Sequence, residues 1–505
     1  MKKRTGPALL IAALYFLALI ILDSCESAVP AAVPSATPAA RPPSQPDQPD
    51  FHLVQPAIPP PEAVPEIIPE SAGTIFLLLD ISNLLGQGDY ENALSLFEKI
   101  EPEDGEQTTI ELLRASALIS AGKSAAARTI VEEILKTNPN LVPALLVLAE
   151  VEGAQGRNRE QRAALERLLK LEPDNVPALV SMGNLMIRSN ATPQAGSYFD
   201  RALRADPEDG EALLGRAWVY RNSREPKKAE TLLNKAVELY PDWARPIHER
   251  GRLYKSVRAY PKALADLDRA KDLEPDNYFI ACDRGDTLRI MGRKTEALAE
   301  YERAIKLDPD YFLAYVHSSD LKDELEDYDG AAAGYAILAR LNPDYYFALE
   351  GLGMHLMRRR QWLEAKDTFV EAYKRAAKMN RGQAGTGEGI YALLAAVCWM
   401  RSGGREEARP FLDEALRRTE RNSVEYRLLR LYRDSTGDTD LVTQIDREKD
   451  PAVKARMLYY LANYYDIRGN KNLANRFFLQ VRDLDVTHIR EWRLNEWTLE
   501  ERGIR

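Results

Sequence analysis

The chain has 505 residues, 29% of them charged, and a formal net charge of −9 at pH 7. This mild acidity argues against bulk attraction to nucleic acid, because nucleic-acid-binding proteins present a basic face. None of the five histidines has a metal-ligand partner four residues further on, and no serine occupies a nucleophile elbow. We therefore expect no metal, no cofactor and no enzymatic activity.

Residues 1–25 have the pattern of a secretory signal, with basic residues at 2–4 followed by an uninterrupted apolar run over 8–22. That run is short for a membrane-spanning helix, which needs about 20 residues. The segment Leu22–Cys25 resembles a bacterial lipoprotein cleavage box in a relaxed, spirochaete-like form, because Asp23 is atypical there. We expect Cys25 to be the lipidated first residue of the mature protein.

Two alternatives to lipidation remain open, namely an uncleaved anchor and an ordinary cleaved signal with an incidental cysteine. All three place the rest of the chain outside the cytoplasm. We therefore expect a location in the bacterial cell envelope, on the periplasmic side, anchored to the inner or outer membrane.

Residues 26–73 are rich in proline and alanine, and 13 of the chain's 30 prolines lie between Pro30 and Pro69. Such a composition does not form a helix or a central strand, and it favours an extended polyproline-like segment. At about 3.1 Å per residue it would serve as a long tether. A merely disordered leader is the alternative.

Residues 74–379 contain one 34-residue pattern nine times without a slip. A fixed period of this size indicates a stacked array of helix pairs. A proline closes seven consecutive repeats, at Pro139, Pro173, Pro207, Pro241, Pro275, Pro309 and Pro343. Twelve residues before most of these prolines lies an alanine, at Ala127, Ala195, Ala229, Ala263, Ala297 and Ala331. Because small residues let two helices approach closely, Gly285 and Ala297 predict a tight helix pair, with Tyr301 filling the gap between pairs and Gly292 in the turn.

These residues resemble the tetratricopeptide repeat (TPR) family. The resemblance implies an all-α, right-handed α-solenoid of helix-turn-helix repeats with a concave groove, and a binding scaffold rather than an enzyme. After a glycine-containing insertion at 380–388, degenerate repeats continue over 389–486, which gives about twelve repeats in all. Residues 487–505 are expected to form a capping helix and tail. We expect Cys282 and Cys398 to be packed core thiols, not a disulfide.

The family resemblance also predicts which residues line the groove. They form the stripe of each first helix that avoids the packing residues, which we call the wall stripe. Candidate partner-binding residues on it are Asn184, Arg188, Trp218, Arg221, Asn222, Arg245, His248, Arg252, Lys255 and Arg289. The next repeat reverses the sign, with Asp320, Asp323 and Glu324.

Arginines among aromatic residues suit a peptide that carries carboxylates, so we expect a protein or peptide partner with an acidic segment. Some relatives clamp a terminal carboxylate with lysine and asparagine. Asn184 and Arg252 match two slots of that clamp, whereas Val180 and Trp218 depart from it. In the alternative interpretation, Arg221, Arg252 and Lys255 only pair with acids on neighbouring helices. At the level of function, the alternatives are an accessory subunit of a cell-wall, glycan or secretion assembly, and a self-associating structural protein of the envelope.

Overall fold

A computed structural model describes residues 72–101, 106–379 and 388–504. The signal and lipidation site, nearly all of the tether and almost the whole glycine-containing insertion therefore lie outside the described residues. In the described part of the chain all regular structure is helical, and it comprises 25 helices. None of these helices combines the length and the apolar character that crossing a membrane requires.

The described residues belong to two compact bodies, the first ending at Thr287 and the second beginning at Leu288. Helices of the first body pair in chain order. They are α1 Ala72–Gly86, α2 Tyr90–Phe97, α3 Gln107–Ser120, α4 Ser124–Thr137, α5 Val142–Ala154, α6 Asn158–Leu171, α7 Val176–Arg188, α8 Thr192–Ala205, α9 Gly210–Asn222, α10 Pro226–Leu239, α11 Ala244–Ser256, α12 Tyr260–Leu273 and α13 Tyr278–Ile290, within which the boundary falls.

The second body continues the same alternation and ends with one unpaired helix. Its helices are α14 Lys294–Leu307, α15 Phe312–Glu324, α16 Tyr328–Leu341, α17 Phe347–Arg358, α18 Trp362–Met379, α19 Glu388–Arg401, α20 Arg405–Arg418, α21 Val424–Asp434, α22 Asp438–Arg447, α23 Pro451–Ile467, α24 Lys471–Asp483 and α25 Arg490–Glu501. Across the described residues, the alternation of first and second helices is that expected for an α-solenoid of about twelve repeats followed by a single helix.

Turn chemistry explains why each helix ends where it does. Between the two helices of a repeat, the backbone enters the left-handed region at one fixed register position, which ends the first helix. This position is held by Gly88, Gly122, Gly156, Asn190, Arg224, Arg258, Gly292, Glu326 and Arg360. The predicted turn at Gly292 is confirmed. The second helices end two residues before each repeat-closing proline, as with Leu239 and Pro241.

In several repeats, a basic side chain of the following repeat donates a hydrogen bond to the turn at the repeat-closing proline. The carbonyl oxygen of Pro173 accepts a hydrogen bond from Arg201 at 2.7 Å, and that of Pro207 accepts one from Lys235 at 2.7 Å. Each donor lies 28 residues after its acceptor. Carbonyl groups at a helix end lack partners within the helix, so this contact both satisfies them and ties neighbouring repeats together.

Small residues and one large side chain set the spacing between helix pairs. A Cβ atom on Gly183 or Gly215 would lie 2.6 Å or 2.3 Å from the ring of Phe199, which is fully buried. Tyr301 holds the corresponding position three repeats later and is also fully buried, as predicted. Cys282 and Cys398 are buried thiols.

Helix α25 covers the end of the last pair. Its Leu494 and Leu499 are buried, and the side-chain amide of Asn495 donates to the carbonyl oxygen of Phe478 on α24 at 3.0 Å. This is the contact expected of a capping helix. The helix also reaches much earlier parts of the second body, which are described with the site below.

Candidate functional site

The wall stripe of the first body runs along its first helices. Asn184 and Arg188 lie on α7, and Trp218, Arg221 and Asn222 lie on α9. Arg245, His248, Arg252 and Lys255 lie on α11. Arg289 belongs to the second body, where its guanidinium pairs with Glu324. The candidate residues of the first body divide into a charged part around α11 and a mainly apolar part around α7.

A buried carboxylate organises the charged part. Asp283 on α13 accepts from the Lys255 ammonium at 2.5 Å and lies 2.8 Å from Nε2 of His248 and 3.4 Å from Nε of Arg252. Burial alone raises the pKa of an aspartate, but Lys255 and Arg252 outweigh that effect and hold the pKa of Asp283 well below its ordinary value. Asp283 is therefore charged and balances the cations around it.

A second carboxylate, Glu249, lies between two arginines of the wall stripe. Its oxygens lie 2.8 Å from Nη1 of Arg221 and 3.1 Å from Nη1 of Arg252, and both arginine side chains are only 8% exposed. Burial raises the pKa of Glu249, but Arg252 and Arg221 together lower it to about 2. Further along, Arg245 pairs with Glu211 at 2.6 Å.

The alternative interpretation from the sequence describes these contacts: the basic stretch pairs with acids on its own and neighbouring helices. The pairs are also largely buried, not solvated. Most of their charge is consequently compensated within the first body. The role of these residues in binding a partner stays a prediction, and an acidic partner would have to compete with carboxylates already in place.

The part around α7 has a different character. Val180 and Ile187 are buried, and Leu146 and Trp218 pack against their apolar cluster from α5 and α9. This gives an apolar surface that continues over three repeats.

Polar groups of the wall stripe are few in this apolar part. Asn184 is 6% exposed, and its side chain has no hydrogen bond to any described residue. Arg188, at the exposed end of α7, donates to the side-chain oxygen of Gln161 at 2.7 Å. The side chain of Asn222 donates to the carbonyl oxygen of Trp218 at 2.9 Å.

In the second body, the wall stripe is covered by the chain's own last helix. Glu350 holds the register position of Val180, several repeats later, and it pairs with Arg490 of α25 at 2.8 Å. Asp323, at the same register as Arg221, pairs with Arg493 of α25. Positions that the family resemblance assigns to a partner therefore contact α25 instead.

Aromatic contacts extend this cover. The ring of Trp497 lies 5.4 Å from that of Tyr328 and 5.7 Å from that of His355. The guanidinium of Arg358 lies 3.5 Å from the centre of the Tyr328 ring. Nε2 of His355 also lies 3.2 Å from Asp323. The expectation of a simple cap on the last helix pair was thus incomplete, because α25 also contacts α15, α16 and α17.

Comparison with known proteins agrees with the geometry. A tetratricopeptide repeat family model matches residues 84–151 and 189–248, and a second TPR repeat model matches residues 285–317. The chain is a tetratricopeptide repeat protein. No curated protein matches the sequence of this TPR protein at a significant level.

Three solved structures illustrate what the TPR protein is similar to. A tetratricopeptide repeat protein from Parabacteroides merdae is 18% identical, with 50% of this chain and 100% of that chain covered and a TM-score of 0.41. PilF of Pseudomonas aeruginosa is 21% identical, with 41% and 93% covered and a TM-score of 0.36. YrrB, described as a TPR protein with an unusual peptide-binding site, is 21% identical, with 37% and 96% covered and a TM-score of 0.30.

The sequence analysis allowed for acidic partners on neighbouring helices of the TPR protein but did not identify them, although a regular signal was present. Arg221 and its partner Glu249 are separated by 28 residues, as are Lys255 and its partner Asp283. The same spacing joins the closing prolines to their basic partners. A search for opposite charges at this interval would have found the pairs.

Proposed function

We propose that this TPR protein is a non-enzymatic protein–protein interaction scaffold of the bacterial cell envelope. It binds a segment of a partner protein on the wall stripe of the first body. The observation that carries the proposal is the apolar surface formed by Leu146, Val180 and Trp218, next to the unbonded side-chain amide of Asn184. That amide has no hydrogen bond to the described residues, so its donor and its acceptor are both available to a bound peptide backbone.

The second body supports the same proposal in another way. Its wall stripe binds a helix, α25, through two acid–arginine pairs and the aromatic group around Trp497. Wall-stripe positions of this chain are thus able to hold a protein segment. Because α25 covers those of the second body, the first body is the better candidate for an external partner.

Site-specific photo-crosslinking in intact cells tests the proposal. A photoreactive amino acid at Leu146, on the wall stripe, is expected to give a discrete adduct with a partner protein. The same residue at Leu171, which is 41% exposed at the end of α6, is the matched control and is expected to give none. Equal adducts from both positions, or an adduct from Leu171 alone, would contradict binding at the wall stripe.

The envelope location rests on residues 1–25 and has its own test. Cys25→Ala is expected to block lipid attachment, which metabolic labelling with a palmitate analogue detects. It is also expected to shift the protein from the membrane fraction to the soluble fraction. Unchanged labelling and fractionation would contradict anchoring through Cys25 and leave binding by the first body unaffected.

A further inference from the structure

One carboxyl group on the apolar part of the wall stripe is not compensated by the chain. Glu150 lies on α5, one repeat before Asn184 on α7, and it holds the same register position. Trp218 and Arg252 hold this position in the two repeats that follow Asn184. Glu150 is therefore a member of the wall stripe.

The environment of Glu150 differs from that of the other wall-stripe acids. Asp283 and Glu249 each contact two or more cations, whereas Glu150 has no hydrogen bond or ion pair with any of the residues that the structure describes. Its side chain is half-buried. Burial raises its pKa to about 8, and no charged neighbour contributes to that shift.

Two side chains show what surrounds this carboxyl along the stripe. Leu146 precedes Glu150 by one helical turn and packs against the apolar cluster that contains Val180. Asn184 follows one repeat later, almost fully buried and unbonded among the described residues. An uncompensated carboxyl and an unbonded amide thus lie at equivalent register positions in the first helices of two consecutive repeats.

A half-buried carboxyl without a cation is unfavourable in the free protein, and a ligand that supplies the cation removes that cost. We infer that the partner segment is apolar and carries a basic side chain, lysine or arginine, that pairs with Glu150. This inference deepens the proposed function and rests on it.

Charge complementarity favours this partner over the acidic segment expected from the sequence. The cations Arg221, Arg252 and Lys255 already have internal carboxylates. Arg188 lacks a carboxylate, but it is exposed to water and hydrogen-bonded to Gln161, so it does not require a ligand. Glu150 is the ionisable group on this apolar surface whose charged form a cationic partner would stabilise most.

Binding of two synthetic peptide pools to the full purified chain tests the inference. Both pools carry fluorescein and have the form Ala-X4-Z-X4-Ala, where X is an equimolar mixture of alanine, leucine, valine, proline and serine. Z is lysine in one pool and glutamate in the other. Fluorescence anisotropy is measured above the pKa of Glu150, where its carboxyl is charged. The lysine pool is expected to bind about tenfold more tightly than the glutamate pool, the effect of one charged hydrogen bond.

Three variants locate the effect. Glu150→Gln keeps the size of the side chain, so it is expected to abolish the preference for lysine without unfolding the repeat. Glu150→Lys is expected to reverse the preference. Glu160→Gln changes an exposed glutamate on the second helix of the same repeat and is expected to leave the preference unchanged.

Each contrary result has a distinct meaning. If both pools bind equally and Trp218→Ala weakens both, the wall stripe binds peptides but the basic-residue inference is wrong. If the lysine preference survives Glu150→Gln, the inference is also wrong, because the cation then binds elsewhere. If neither pool binds, both the inference and peptide binding by the first body are overturned.

Discussion

Replacing Asp283 by asparagine removes one buried negative charge and keeps the shape of the side chain. In the native protein this carboxylate contacts Lys255, His248 and Arg252. The variant leaves these groups without their shared counter-charge. Breaking a buried pair by removing one partner typically costs about 3–5 kcal/mol.

Remaining contacts reduce that cost. Lys255 keeps Asp286 at 3.2 Å, and Arg252 keeps Glu249 at 3.1 Å. We therefore expect Asp283→Asn to lower the free energy of unfolding by about 2–4 kcal/mol, which is about 1 kcal/mol less than for a fully broken buried pair. For a body of this size, that corresponds to a fall in melting temperature of roughly 4–16 °C.

Hydrogen exchange measured by mass spectrometry is the suitable assay, because repeat arrays do not always unfold in one step. Peptides from α11 and α13 are expected to exchange faster in the variant, by roughly 30-fold or more. Asp268→Asn is the matched control, because Asp268 also pairs with an arginine, Arg284 at 2.6 Å, but is 48% exposed. The control is expected to change stability by less than about 0.5 kcal/mol.

The acid dependence gives an independent check. The pKa of Asp283 is depressed in the folded protein, so its contribution is fully present above the unfolded value, near 3.8, and is lost as pH falls through the folded value. The stability difference between wild type and Asp283→Asn is therefore expected to shrink below about pH 4. If Asp283→Asn is as stable as the control at neutral pH, the network does not stabilise the first body, and the reasoning fails.

Three further predictions concern other parts of the molecule. Because the pKa of Glu150 is raised to about 8 in the folded protein, the free energy of unfolding is expected to fall as pH rises from near 4.5 to about 8. Glu150→Gln is expected to reduce this fall in urea titrations at a series of pH values. The same pH dependence in wild type and variant would contradict the prediction. Arg493→Ala leaves Asp323 without its arginine and is expected to raise the rate of amide hydrogen exchange in α25 by about tenfold or more. Unchanged protection would mean that the pair does not stabilise the position of α25. Gly215→Ala would place a Cβ atom against Phe199 and is expected to cost about 1–3 kcal/mol in a chemical melt; a neutral effect would show that the ring has room to move.

Local features of the fold could be predicted from the sequence because they depend on the spacing of residues within one repeat. Proline spacing placed the repeat boundaries, and the buried Tyr301 was predicted from its position on the second helix. Both follow from helical geometry within one repeat. Helix α25 contacts Asp323, which the sequence analysis placed on the stripe, and Glu350, which holds the register position of Val180.

Two properties of the site did not follow from the sequence. The register of the wall stripe predicted a basic surface at Arg221 and Lys255, but it did not identify the carboxylates that pair with them. Those pairs join neighbouring repeats, so they depend on how the repeats stack. The reach of α25 was missed for a different reason. A solenoid is expected to make contacts only between neighbouring repeats, whereas Arg493 and Asp323 are 170 residues apart in the chain.

That long contact has a consequence for how the second body folds and unfolds. An ordinary linear array frays from its last repeat, and its repeats can form one by one as they leave the ribosome. Here the pair between Asp323 and Arg493 joins the beginning of the second body to its end, so α15 lacks this partner until synthesis of the chain is almost complete. Once closed, the second body should resist fraying and lose its structure more nearly as a whole, like a globular domain.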